Sequence, residues 1–262
     1  MSLPIPDTLA APARAALIGE SRAVFDALAL APRLLRRVPR SASPRDVIVL
    51  PGFGTDDRST WALRHVLARA GHRVSAWGLG RNLAGLDIKH GVEDLPEAWR
   101  RLQAPPERYR REGGVPMLCQ RMRDRVAARP ADAPPVVLVG WSLGGVVARE
   151  VARELPERVA LVVTLGTPVV GGPKYTAGAR ALRQRGLDLD WIERGVALRD
   201  ADPIKVPVVA VVSPSDAIVA ASAAFDRHTA RIRHVEIDAP HLSLCFRRDV
   251  WSVVLDAIER GG

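Results

Sequence analysis

The sequence predicts an α/β protein with a mostly parallel central sheet, and three observations carry that reading. Apolar, β-branched runs recur along the chain, most of them continuous rather than alternating, as strands covered on both faces require. Segments of helical character separate these runs, and strand–helix–strand succession makes neighbouring strands parallel with right-handed crossovers. The chain can also fill such a fold: 262 residues, 47% hydrophobic and 26% charged, suit one large domain with a sizeable core.

The elements follow in order. Residues 1–45 form an amino-terminal helical extension packed on the core, with a helix over roughly 8–30 and then the proline-punctuated APRLLRRVPRSASP. Leu17, Val24 and Leu28 recur near helical spacing, with Ile18 and Phe25 beside them, and make an apolar stripe that docking would cover. Arg33, Arg36, Arg37 and Arg40 come next, so at most weak, salt-sensitive contact with an anionic membrane surface is expected. The main domain, 46–262, opens with the strand DVIVLP (46–51), the helix STWALRHVLARAG and the strand HRVSAW (72–77). A polar insertion, 80–115, precedes the helix VPMLCQRMRDRVAARP and the strand PVVLVG (135–140). The helix LGGVVAREVARELPE leads to RVALVVTLG (158–166), and a second insertion, 173–203, reads as a short helical cap. Strands VPVVAVVS (206–213) and RIRHVEID (231–238) and the helix RDVWSVVLDAIER complete the chain. Connections as long as the two insertions are usually functional loops or lids, the other reading being surface decoration.

GWSLGG, residues 140–145, lies where a strand becomes a helix. Serine and glycine hold neither element well, so their concentration there marks a turn of unusual backbone. G-x-S-x-G in that context lifts Ser142 clear of the sheet, with Gly140 and Gly144 letting strand and helix approach closely. A hydroxyl is a weak nucleophile until a base can reach it, and such exposure is what the turn supplies. Glycine-rich turns also hold phosphates, but GxxxxGK[ST] and GxGxxG are both missing here.

An acid and a histidine follow at strand ends, in that order. Asp216 stands in PSDAIV after VPVVAVVS, and His241 in APHLSL after RIRHVEID. Open parallel sheets present functional groups at those carboxyl ends. Taken singly, Asp216 reads as a turn residue and His241 as a surface histidine; jointly they read as a catalytic triad with Ser142. Asp238 lies too near His241 in sequence to orient it, and Asp202 precedes its strand. His65, His72, His90, His228 and His234 do not follow strand ends.

LPGFGTDDRST, residues 50–60, follows the first strand with two glycines and offers the Phe53 N–H as one oxyanion donor, with Leu143 N–H as the other. WGLGRN follows the second strand, which makes Arg81 and Asn82 candidate substrate-binding groups or, equally, loop anchors. Together LPGFGTDDRSTW, WGLGRN, VGWSLGG, LGTP, SDAIV and APHLSL resemble α/β-hydrolase fold esterases and lipases, particularly bacterial lipase-like proteins akin to GPI inositol-deacylase-type hydrolases. The resemblance covers roughly 46–258 and departs where Pro51-Gly52 replaces the His-Gly of many lipases. It implies helices on both faces of the sheet, a small cap, and hydrolysis of a small-molecule or lipid ester with an apolar acyl group. A non-catalytic member of the fold, or an acyltransferase or thioesterase using the same triad, would carry the same motifs.

No metal or organic cofactor is expected, since neither H-E-x-x-H nor an aspartate cluster is present. A net charge of +9 raises nucleic acid as a partner, but lysine occupies only 89, 174 and 205, and the many arginines are dispersed among acids. Basic blocks and aromatic stacking platforms are lacking, so nucleic acid is not an expected partner. Cys119 and Cys245 read as structural thiols. The start, MSLPIPDTLA, lacks a basic segment followed by an apolar one, and no run nears the ~18 apolar residues of a membrane span, so a cytoplasmic location is expected. Oligomeric state is left open.

Overall fold

A computed structural model of the chain describes residues 9–88 and 114–262. Six strands form one sheet: β1 (Asp46–Leu50), β2 (Arg73–Ala76), β3 (Val136–Trp141), β4 (Val159–Leu165), β5 (Val208–Val212) and β6 (Ile232–Glu236). Their order is β2-β1-β3-β4-β5-β6, and every adjacent pair is parallel. All carboxyl ends therefore lie along one edge. The order turns back on itself at β1, with β2 on one side and β3 on the other, and such reversals are where open sheets form their crevice. Leu50 pairs with Gly140 and Trp141 with Leu165, so β1, β3 and β4 end level with one another.

Strand alternation divides the core in two. Val47, Val49, Val137 and Val139 face α3 (Trp61–Arg69) and α8 (Arg248–Arg260), packing with Leu63, Leu67, Trp251 and Val254. Ile48, Leu50, Val136 and Leu138 face α4 (Gly114–Ala127) and α5 (Leu143–Glu154), packing with Met122, Val126, Val147 and Val151. Each of these side chains, fully buried, contributes roughly 1.5–3 kcal/mol by leaving water. Covered faces on both sides explain why β1, β3, β4 and β5 show no polar alternation, whereas the edge strands β2 and β6 are mixed in sequence and only partly buried. Helix α8 stops at Gly261, which takes φ +75°, the left-handed conformation of a helix end.

The second insertion holds α6 (Ala179–Gln184) and α7 (Leu189–Asp200). The Asp188 carboxylate caps α7 by accepting from the N–H groups of Asp190 and Trp191. At the far end of α7, Arg199 reaches Glu150 at 2.8 Å and Asp200 pairs with Arg153 at 3.1 Å, tying the insertion to α5. Of the first insertion, residues 89–113 lie outside the described residues, as does His90.

The amino-terminal segment differs from the expected single helix over 8–30. It consists of a 3-10 turn, Arg14–Ser21, then α1 (Arg22–Leu28) and α2 (Leu30–Leu35). Leu30, Leu34 and Val38 pack on the core, and the Asp26 carboxylate is buried against Arg33 at 2.8 Å. The stripe of Leu17, Ile18, Val24, Phe25 and Leu28 is not the docked face; Ile18 is 78% exposed and Phe25 71%. Glu20 and Asp26 face inward instead, where their carboxylates find hydrogen-bond donors.

Among the described residues, no helix is long and apolar enough to cross a membrane.

Candidate active site

The turn after β3 holds Ser142 at φ 54°, ψ −123°, a conformation that costs a side-chain-bearing residue about 1–3 kcal/mol. Neighbouring contacts impose it. The Ser142 N–H donates to Leu165 C=O at 2.8 Å, and the Thr167 hydroxyl donates to Ser142 C=O at 3.0 Å. The surrounding glycines are steric necessities: a Cβ at Gly144 would fall 2.4 Å from Leu50 O, and one at Gly140 2.3 Å from the Gly145 Cα. Ser142 is thus pinched between the ends of β1 and β4, half-buried, with α5 beginning at the next residue.

Asp216 and His241 stand beyond β5 and β6. Asp216 Oδ2 lies 2.6 Å from His241 Nδ1, and its Oδ1 accepts the N–H groups of Ile218 and Val219 at 2.9 and 2.7 Å. A carboxylate so placed gives Nδ1 the ring proton and leaves Nε2 free to accept one. The two loops are tied by Ser213, whose hydroxyl donates to Ala239 C=O at 2.6 Å and accepts from Ala239 N–H at 3.0 Å. Trp141, the residue before Ser142, donates its indole N–H to His241 C=O at 3.2 Å, and its ring lies 5.7 Å from the imidazole. The histidine loop is therefore held directly against the serine turn. Among the described residues, no hydrogen bond joins Ser142 Oγ to the His241 ring. In unliganded sites that bond is commonly long and tightens with substrate.

The loop Pro51–Thr55 runs past the serine, so close that a Cβ on Gly52 would fall 3.2 Å from Ser142 Cβ. Neither Phe53 N–H nor Leu143 N–H donates to an acceptor among the described residues, leaving two donors beside Ser142. Arg81 and Asn82 serve this loop. Asn82 is buried, donates through Nδ2 to Pro51 C=O at 2.8 Å, and exchanges backbone bonds with Thr55 and Gly54. Arg81 Nε donates to Gly54 C=O at 2.7 Å. Of the two roles left open by sequence, their contacts are those of loop anchors.

Other candidate groups are occupied elsewhere. Asp238 turns outward to Arg22 at 3.7 Å, and His72 and His234 accept backbone N–H groups from Arg45 and Asp226. Burial pushes both cysteine thiols up, as expected of inert thiols. Burial alone would also raise the Asp226 carboxyl, but the Arg149 guanidinium 2.6 Å away, with the Thr229 and His228 N–H groups, holds it well below the usual carboxylate range. That pair is structural. A cavity of about 620 Å³ among Asp46, Arg73, Arg125 and Arg129 opens at the amino ends of β1–β3, the opposite edge from Ser142. Among the described residues, no cluster of His, Cys, Asp or Glu is disposed to hold a metal.

Gly166, Trp141, Thr167 and Ser213 escaped sequence reasoning. Only Gly166 carried a local signal, a glycine at the carboxyl end of a strand; at φ +54°, a Cβ there would fall 2.8 Å from Asp216 Oδ2 and 3.0 Å from His241 Nδ1.

No family model and no curated protein matches this sequence. Solved structures resemble it in fold. A membrane phospholipase A described as a bacterial virulence factor aligns with TM-score 0.56 at 14% identity, over 94% of this chain and 93% of that one. Carboxylesterase CesB from Bacillus subtilis aligns with TM-score 0.53 at 15% identity, over 94% and 99%. The Pyrococcus furiosus esterase Pf2001 gives 0.51 at 18%, over 84% and 85%. The fold is that of the α/β-hydrolases; at such identities the likeness is one of architecture.

Proposed function

We propose that this chain is a serine hydrolase that cleaves carboxylic esters with lipid-like or apolar acyl groups, through Ser142, His241 and Asp216. The observation that carries the reading is the 2.6 Å contact of His241 Nδ1 with Asp216, set beside a serine held at positive φ. In this reading His241 Nε2 takes the Ser142 proton as Oγ attacks the ester carbonyl. The Phe53 and Leu143 N–H groups receive the oxyanion, where developing charge also meets the positive end of α5. Protonated His241 then hands its proton to the departing alcohol. Water, deprotonated in turn by His241, releases the acid from Ser142.

Support for an apolar substrate comes from the surroundings. Phe53 and Leu242 are substantially exposed next to Ser142 and His241, and α1, with exposed Val24 and Phe25, packs against the His241–Ser243 turn. The esterases and the phospholipase that share the fold point the same way. A panel of p-nitrophenyl esters of increasing chain length tests the reading. The wild-type chain should turn them over, with medium or long acyl chains preferred, while Ser142→Ala and His241→Ala should not. Equal turnover by either variant removes its residue from the mechanism.

A further inference from the structure

We propose that Glu20 is a positioning residue for Asp216 and His241, which makes the amino-terminal segment a working part of the site; this rests on the triad reading above. Glu20 is buried, and its carboxylate is spent entirely on backbone N–H groups of the two loops. Oε1 accepts from Ala217 at 3.0 Å and from His241 at 2.9 Å; Oε2 accepts from Leu242 at 3.0 Å. Ala217 is the residue after Asp216, and His241 is the base itself. One carboxylate thus bridges both loops and sets the distance between them.

Bonds to an ionised acceptor are roughly twice as strong as neutral ones. Their loss would leave the buried amides of Ala217 and His241 without a partner, which costs stability and lets the two loops shift. Hydrophobic burial does not hold this stretch of the segment, for Ile18, Val24 and Phe25 face solvent. Over this stretch two acidic points hold it instead: Glu20 on the loops, and Asp26, which pairs with Arg33 of the same segment and lies 3.7 Å from Arg247, the Arg33 guanidinium also meeting Phe246 C=O. Asp26 fastens the same segment without touching Ala217, His241 or Leu242, so it separates anchoring from positioning.

Glu20→Ala, Glu20→Gln and Asp26→Asn should be compared in the full chain by kcat, KM, thermal midpoint and the low-field proton resonance of the Asp216–His241 hydrogen bond. Glu20→Ala is expected to lower kcat about 10- to 100-fold, as small displacements of reacting groups do, with KM changed less than about twofold. Its low-field resonance should broaden or vanish. Glu20→Gln, which keeps the volume and one acceptor oxygen, should recover part of kcat and of the resonance, and it serves as the reading should the alanine variant not fold. Asp26→Asn should lose comparable thermal stability while keeping both. Wild-type kcat and an unchanged resonance in Glu20→Ala, or equal kcat losses in Glu20→Gln and Asp26→Asn, would overturn the proposal. Should the wild-type chain hydrolyse no ester, the ester-hydrolase reading falls by itself. The resonance then judges Glu20: persistence in Glu20→Ala counts against it, disappearance for it.

Discussion

Asp216 Oδ2 stands 2.6 Å from His241 Nδ1, with both side chains almost wholly withdrawn from solvent. In so dry a setting the donor and acceptor roles are strict. Asp216→Asn presents an amide that can donate to Nδ1 and so favours the tautomer whose Nε2 is already protonated. Ester turnover should fall about a thousandfold or more while circular dichroism stays that of the wild type. Near-normal kcat would mean that another carboxylate orients the imidazole.

Gly166 is the floor of that contact. A methyl group there would fall within 3.0 Å of Asp216 Oδ2, His241 Nδ1 and Leu244 Cδ1, at a φ of +54° that alanine adopts only under strain. Gly166→Ala should therefore cost activity as heavily as Asp216→Asn and lower the thermal midpoint as well. Full activity in a stable alanine variant would show that the floor yields without disturbing the pair above it.

What the sequence made legible, and what it hid, divides along a physical line. Continuous apolar runs located the four central strands to within a few residues, because strands covered on both faces must be apolar throughout; the partly exposed edge strands β2 and β6 lay within the mixed runs HRVSAW and RIRHVEID. The serine turn was legible for a similar reason: Gly140 and Gly144 are forced by contacts with their immediate surroundings. Glu20 was not, since its partners lie 197 to 222 residues away and backbone N–H groups leave no trace in a side-chain pattern. Periodicity marked Leu17, Val24 and Leu28 as an apolar stripe. It carried no information on whether that stripe meets protein or water, and the buried carboxylates of Glu20 and Asp26 decided the matter.

Two histidines make stability depend on pH. His72 Nδ1 accepts from Arg45 N–H at 3.2 Å, and His234 Nε2 from Asp226 N–H at 3.0 Å, so each must be neutral to keep its bond. Burial lowers both pKa values, against the pull of Glu259 on His72 and of Asp226 on His234. The unfolded chain thus binds these protons at higher pH than the folded one, and stability falls as pH drops through the unfolded value near 6.5 toward the lowered folded values. The slope is at most about 1.4 kcal/mol per pH unit for each histidine, less at His234 where solvent screens the charge. Glu154 and Asp200, whose carboxyls burial pushes up, act in the opposite sense. The informative quantity is accordingly the difference between wild type and a His72→Gln/His234→Gln variant. Urea midpoints from pH 7.5 to 5 should fall more steeply for the wild type; parallel curves would contradict the assignment.

Ile18 and Phe25 offer a test of the apolar-substrate reading that leaves the triad untouched. Their exposed side chains lie on the segment that packs against the histidine turn, while Arg36, Arg37 and Arg40 are exposed farther along it. Ile18→Asp/Phe25→Asp should reduce turnover of an emulsified long-chain ester about tenfold and leave a soluble short-chain ester within about twofold, since each apolar group lost from an interface forfeits roughly 1.5–3 kcal/mol at most. Equal effects on both substrates would detach this surface from substrate delivery.

The central claim is that Ser142 is a nucleophile activated by His241, and covalent labelling reaches it most directly. A fluorophosphonate requires an activated serine but neither the natural alcohol nor the natural acyl chain, so its outcome does not depend on knowing the substrate. Incubated with the folded wild-type chain and followed by peptide mass spectrometry, the probe should modify Ser142 and no other serine, with the rate strongly reduced in His241→Ala and the adduct lost in Ser142→Ala. A folded wild-type chain left unlabelled at Ser142, or labelled equally well without His241, would contradict it.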